Sequence, residues 1–275
     1  MQARFIRHLY GCPWAIVPEK HKELCANVQS MDLSDMEQGE TETGLLIMDG
    51  IAHVYVYGVM VPHASPDERE FFGLASVQAA TEQIEEAQTR PDVQGIFIQW
   101  DTPGGYTQGV PELAEAIATS EKPIVSYVDG GMNSAGYWAG CSQTIYANEM
   151  SSVGSIGCYM AIYDQSKRFE MAGLKSILIT TGSHKGAGTE GVAMTDEQIQ
   201  HYADEVVGVV GKKFFEHVSY YRRLPETVMD GRSWLGAKAL ELNLIDAVGS
   251  KYDAMAELLN LIQGEDANER TFYPG

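Results

Sequence analysis

Two rhythms of apolar and polar positions alternate along most of this chain. Short apolar runs typical of buried strands are separated by stretches in which apolar residues recur at helical spacing. Residues 45–48 and 51–61 are β-rich runs around Asp49-Gly50, a turn pair typical of hairpins. Helical spacing follows from Leu74 through Val77, Ile84 and Ala87, and Arg90-Pro91 ends it. Residues 93–100 predict a buried strand that runs into Asp101-Thr102-Pro103-Gly104-Gly105. A helix through Leu113, Ala116 and Ile117 leads to a third strand at 123–128. Further on, strands are expected at 144–147, 176–180 and 244–248. Helices are expected near 164–171, from a capping box at Thr195-Asp196-Glu197-Gln198 to Arg222, around 235–240, and at 252–261. This alternation of strand and helix implies crossover connections and a largely parallel sheet, hence an α/β fold.

Composition sets limits on that picture. The 275 residues suffice for one large α/β domain or two small ones, and 44% hydrophobic against 21% charged residues is the balance of a folded chain. A net charge of −19 argues against nucleic acid or an anionic membrane surface as a partner. Cys12, Cys25, Cys141 and Cys158 form no C-x-x-C pair and no zinc-ligand spacing, so they read as reduced thiols of a cytoplasmic protein. No run approaches the ~18 apolar residues of a transmembrane helix. Residues 1–18, broken by Arg7, His8, Gly11 and Pro13, read as neither membrane anchor nor signal peptide. Residues 32–43 are acidic and poor in large apolar groups, as in a solvated linker. The expected organisation is an amino-terminal arm and linker at 1–43, one folded α/β domain at 44–263 and a loose tail at 264–275.

Candidate chemistry centres on Gly131-Met132-Asn133-Ser134-Ala135-Gly136-Tyr137-Trp138, between the strand at 123–128 and a small-residue helix. A serine there meets free N–H groups at a helix start, which favour developing negative charge. Serine is also the commonest N-cap, so Ser134 alone fits either role. An acyl-transfer site needs in addition a base and oxyanion donors. No histidine lies between Ala135 and Ser183; the nearest downstream is His184, and beside it stands Lys185 in a glycine-bearing loop. A lysine serves as base when desolvation lowers its pKa from about 10.4 toward neutrality. The Gly104-Gly105 turn and the Ala135 N–H are candidate oxyanion donors. The Gly-x-Gly-x-x-Gly at Gly186 to Gly191 is a poor dinucleotide site, since the helix starts only near Thr195 and Glu190 would repel a pyrophosphate.

Asp101-Thr102-Pro103-Gly104-Gly105, Asn133-Ser134-Ala135-Gly136-Tyr137, Gly154-Ser155-Ile156-Gly157 and Gly182-Ser183-His184-Lys185 occur in that order. In order and approximate spacing, residues 45–248 resemble the signal peptide peptidase A family (S49) of serine peptidases. The likeness is greatest to its bacteriophage branch, the prohead or capsid maturation proteases of lambda-like phages. The resemblance implies a Clp/crotonase-like fold of repeated ββα units with a curved, largely parallel sheet. It also implies a Ser-Lys dyad, with Ser134 as nucleophile, Lys185 as general base and the Ser155 hydroxyl supporting the lysine. Gly104 or Gly105 with Ala135 would supply the oxyanion hole. Further implications are a protein or peptide substrate such as scaffold, portal or capsid protein, a homo-oligomer, no metal or organic cofactor, and a cytoplasmic location within the assembling prohead. Residues 1–18 show no membrane anchor of the kind cellular relatives have, which is read as favouring the phage branch. Two positions depart from the family pattern: Gly186 stands where many members have aspartate, and Ala135 where many have glycine. Still open are His184 as base, a soluble bacterial peptidase, an acyl-CoA enzyme of the same fold, and a non-catalytic capsid-assembly protein.

Overall fold

The computed structural model describes residues 12–30 and 44–271, so the acidic linker expected at 32–43 lies outside the described residues. Strand β1 (Trp14–Ile16) leads into helix α1 (Pro18–Ser30), which opens on a proline whose missing N–H has no intrahelical acceptor to lose. The Asp49-Gly50 turn joins β2 (Leu46–Met48) and β3 (Ile51–Tyr57) into the expected antiparallel hairpin, with Met48 opposite Ile51. The chain turns at Gly58 into β4 (Val59–Val61). Then come α2 (Pro66–Phe72), with a Ser65/Glu68 capping box, β5 (Leu74–Ser76) and α3 (Val77–Thr89). The helix expected from Leu74 thus starts three residues later, because Leu74 to Ser76 pair with β4 and the Ser76 hydroxyl caps α3.

The next units are β6 (Gly95–Thr102), β7 (Gly104–Tyr106) and α4 (Val110–Ala118), then β8 (Ile124–Asn133) and α5 (Ala135–Gly140). After β9 (Thr144–Ala147), β10 (Ser152–Gly154) and α6 (Ser166–Met171) comes one continuous helical stretch. It is α7 (Asp196–His201), π-helical turns at Tyr202–Gly208, and α8 (Val209–Tyr221). The chain ends in β11 (Ser233–Leu235), α9 (Gly236–Glu241), β12 (Ala247–Val248) and α10 (Lys251–Thr271), which continues past the boundary expected at 264.

Two sheets result. The larger runs β11-β10-β8-β6-β3-β2, parallel from β10 to β3, and the smaller runs β1-β7-β4-β5. In the pairs β3/β4 and β6/β7 the first strand belongs to the large sheet and the second to the small one, and a helix follows. This is the repeated ββα plan of a Clp/crotonase-like fold. β8 is divided along its length: Val125 to Val128 pair with β9, and Gly131 to Asn133 pair with β10. Central β6 is buried on both faces. Ile96 and Ile98 pack with Ile84, Leu113 and Ile117 on one side, and Phe97 packs with Ala254 and Leu258 on the other. Trp14, Ile16, Leu24, Val59, Val61 and Leu74 form a separate cluster over the small sheet.

The strand expected at 176–180 does not form. Residues 176–181 join no ladder, and Ile177 and Ile179 are 76% and 93% exposed. β-branched residues favour a strand only where another strand supplies hydrogen bonds and a packing face. No helix among the described residues is long and apolar enough to cross a membrane.

Candidate active site

Ser134 occupies the single residue between β8 and α5, with φ 53° and ψ −111°. A side chain there carries strain of about 1–3 kcal/mol, which the surrounding structure must hold in place. The restraints are visible. The Ser134 N–H donates to the Gly154 carbonyl at 2.7 Å, and its own carbonyl accepts from Trp138 N–H at 2.9 Å. The residues on both sides, Met132 and Ala135 to Cys141, are buried. The hydroxyl donates to the Gly157 carbonyl at 3.1 Å and is 1% exposed. A peptide carbonyl orients a hydroxyl but does not keep its proton, and among the described residues no base bonds to the serine hydroxyl.

The turn beneath it is locked by Asn133. Its amide donates to the Ser152 carbonyl, and its Oδ1 accepts from the hydroxyls of Ser152 and Ser233, tying β8 to β10 and β11. No signal in the sequence marks Asn133 for this task, because Ser233 lies 100 residues away.

Gly104 and Gly105 stand against the serine. A Cβ at Gly104, whose φ is +94°, would lie 2.8 Å from Ser134 Cβ and 2.3 Å from the Ala15 carbonyl oxygen. A Cβ at Gly105 would meet the Met60 carbonyl at 1.9 Å. Only glycine fits at either place. The Gly104 N–H donates to Thr102 Oγ1 at 3.1 Å, while that hydroxyl donates to the Gly58 carbonyl at 2.7 Å. Gly105 pairs with Ala15 of β1. Ala135, first residue of α5, carries an N–H with no intrahelical acceptor.

The structure thus brings Ser134, Ala135, Gly104 and Gly105 together, and Ser155 lies close by. Ser155 is buried with φ 51°, donates its N–H to the Arg232 carbonyl, and lines a groove of about 750 Å³ with Gly157 and Cys158. Lys185 is not brought to the serine. It lies on an exposed turn, its N–H donating to the Gly182 carbonyl, and its amine makes no hydrogen bond or ion pair among the described residues. His184 beside it contacts the Ser183 hydroxyl and the His201 ring. Cys158 is no rival nucleophile, since burial pushes its thiol up to about 11 and its Sγ–H points to the Val207 carbonyl.

Residues 116–263, more than half the chain and inclusive of Ser134, Ser155 and Lys185, match the model of peptidase family S49. The chain belongs to peptidase family S49. Its relatives include capsid assembly protease C of Escherichia phage lambda, 26% identical over 215 residues that make up 76% of this chain and 48% of that protein. Head-tail preconnector protein GP5 of Enterobacteria phage P21 is 26% identical over 224 residues, 78% of this chain and 44% of that one. Protease 4 of Salmonella typhi is 26% identical over 223 residues, 77% of this chain and 34% of that one. Phage and bacterial proteins thus match at the same level of identity. The chain spans about half the length of these curated relatives.

Proposed function

We propose that this S49 chain is a serine endopeptidase that works through an acyl-enzyme on Ser134. The observation that supports this most is the buried, strained strand-to-helix turn of Ser134, set against a glycine pair that tolerates no side chain. In this reading Lys185 is the base. Its amine takes the proton of the Ser134 hydroxyl as the oxygen attacks a peptide carbonyl. N–H groups of Ala135 and of Gly104 or Gly105 stabilise the oxyanion, which is a stronger acceptor than the Thr102 hydroxyl that Gly104 now serves. The ammonium then protonates the leaving amine, and water repeats the cycle. Ser155, close to Ser134 and buried, helps to hold the arriving amine.

Because Lys185 is exposed in the single chain, the dyad closes only when its segment docks. The exposed Ile177 and Ile179 on that segment support docking on a second copy, so that the working form is a homo-oligomer. The substrate is an extended protein segment. The names of the two phage relatives support scaffold, portal or capsid protein in an assembling head, in the host cytoplasm. The test is incubation of an unstructured protein with the native chain, Ser134→Ala, Lys185→Ala and His184→Ala, read by mass spectrometry. Cleavage by the native chain and by His184→Ala alone is expected. Full cleavage by Ser134→Ala would end the proposal, and full cleavage by Lys185→Ala would move the base elsewhere.

A further inference from the structure

We infer that the face of the large sheet turned away from α3 and α4 carries a second binding surface, on which Tyr55, Tyr57, Gln99, Asp101, Tyr127 and Asp129 take up an arginine-bearing segment of a protein partner. This does not depend on the reading of Ser134 as nucleophile.

Register places five of these side chains on one face. Tyr55 lies opposite Gln99 and Tyr57 opposite Asp101 across β3 and β6, and Gln99 lies opposite Tyr127 across β6 and β8. Residues two apart in a strand, and residues paired across a ladder, point the same way. α10 covers the Phe97 end of this face through Ala254 and Leu258, while Tyr55 and Tyr57 are each 41% exposed. Asp129 joins them through a bulge. Trp100 pairs with Val128 and Thr102 with Met132, so Asp129 to Gly131 stand opposite Asp101 alone. The Asp101 carboxylate leans on that bulge: a Cβ at Gly130 would come within 2.3 Å of its Oδ1.

Three features of the patch ask for a ligand. No cation lies within ion-pair distance of Asp101 or Asp129 among the described residues. Burial and the neighbouring Asp129 hold the Asp101 carboxyl above the usual carboxylate value, and the Gly131 N–H and Lys20, itself paired with Glu23, offset this only in part. The rings of Tyr55 and Tyr57, 5.6 Å apart and inclined at 68°, form an open aromatic corner beside the two charges. Burial, and then Asp129, push the Tyr57 hydroxyl up to about 12. Beneath the corner Gln99 is 3% exposed, and its Nε2 has no hydrogen-bond partner among the described residues. A buried donor left open is rare and calls for an acceptor.

An arginine residue of a peptide meets these demands together. Its guanidinium stacks on tyrosine faces and offers its edge to carboxylate oxygens, and its charge relieves the repulsion between Asp101 and Asp129. Its main-chain carbonyl supplies the acceptor for Gln99. A bare metal ion would leave the rings and the amide donor unused, and no group of three or more His, Cys, Asp or Glu side chains able to hold one occurs among the described residues.

The probe is a seven-residue glycine-serine peptide with one central arginine, blocked at both ends and titrated into the full Ser134→Ala chain so that nothing is turned over. Tyr57→Leu, Asp129→Asn and Gln99→Leu are each expected to weaken binding about tenfold, and so is replacement of the peptide's arginine by glutamine. Gln99→Leu separates binding from folding. It removes an unpaired buried donor, so thermal stability should hold while affinity falls. Glu85→Gln combined with Glu112→Gln, exposed on α3 and α4 across the sheet, takes two charges from the same acidic chain and should leave binding unchanged. Absence of peptide binding, equal binding of the glutamine peptide, equal binding by any of the three site variants, or an equal loss in the Glu85/Glu112 variant overturns the inference. If a site variant does not fold, the comparison of the two peptides on the parent chain decides.

Discussion

Ser134 and Lys185 live in opposite surroundings. Around the serine the chain from Gly131 to Cys141 is buried, the backbone is strained, and bonds to Gly154, Gly157 and Trp138 hold it from three directions. Around the lysine the chain bonds mainly within its own turn, through Gly182 and through the Thr189 link to Gly186, and the flanking Ile177 and Ile179 face solvent. The contrast teaches that one half of the proposed dyad is preorganised by the domain core, while the other is carried on a segment that stays exposed among the described residues. Strain of the kind seen at Ser134 survives only where packing over-determines it. A segment with few buried contacts sits at the low end of local stability and is free to be ordered by a partner.

That contrast can be broken first at its chemical poles. Ser134→Ala and Lys185→Ala are each expected to lower cleavage by about 10³-fold or more. If the lysine arrives from a second copy, mixing the two inactive chains restores cleavage, and a mixture that stays inactive means each chain supplies both groups. Next comes Gly104→Ala. Its Cβ would collide with the Ala15 carbonyl and Ser134 Cβ at a φ of +94°, so turnover should fall about 10²-fold, with lower thermal stability. Trp14→Ala touches the preorganised half through β1 and should destabilise the chain by about 3–5 kcal/mol, measured by denaturant unfolding. Smallest in the isolated chain is Ile179→Asp, which should change unfolding free energy by no more than about 0.5 kcal/mol. The same substitution should nevertheless reduce association in sedimentation and slow cleavage. Unaltered sedimentation would show that this face is not the contact.

The Asp49-Gly50 hairpin, the buried runs of β6 and β8, and the Thr195/Gln198 capping box were legible because each is a local pattern whose physical cause lies within a few residues. The Ser65/Glu68 box that opens α2 carried an equally local signal, yet no helix was expected there. Residues 176–180 misled for the opposite reason, since apolar β-branched residues report a wish to be buried and not the presence of a partner. β1 was read as part of a peripheral arm, yet Trp14 to Ile16 are built into the small sheet next to the nucleophile. Nothing within three residues could reveal pairing to Gly104–Tyr106, some 90 positions on.

By itself, then, the sequence determined the α/β class, the alternation of strands and helices, the S49 resemblance, and which residue types were available for acyl transfer. Those properties depend on periodicity and on short motifs, which are local. Tertiary structure alone decided that Ser134 is strained and hydrogen-bonded to Gly157, that Asn133 is pinned from β10 and β11, that β1 pairs with β7 next to the serine, and that Lys185 is exposed and not bonded to the serine among the described residues. Each of these is a distance between segments far apart in the chain. Such distances are set by how layers pack and by which hydrogen bonds remain after packing, and no local pattern encodes them.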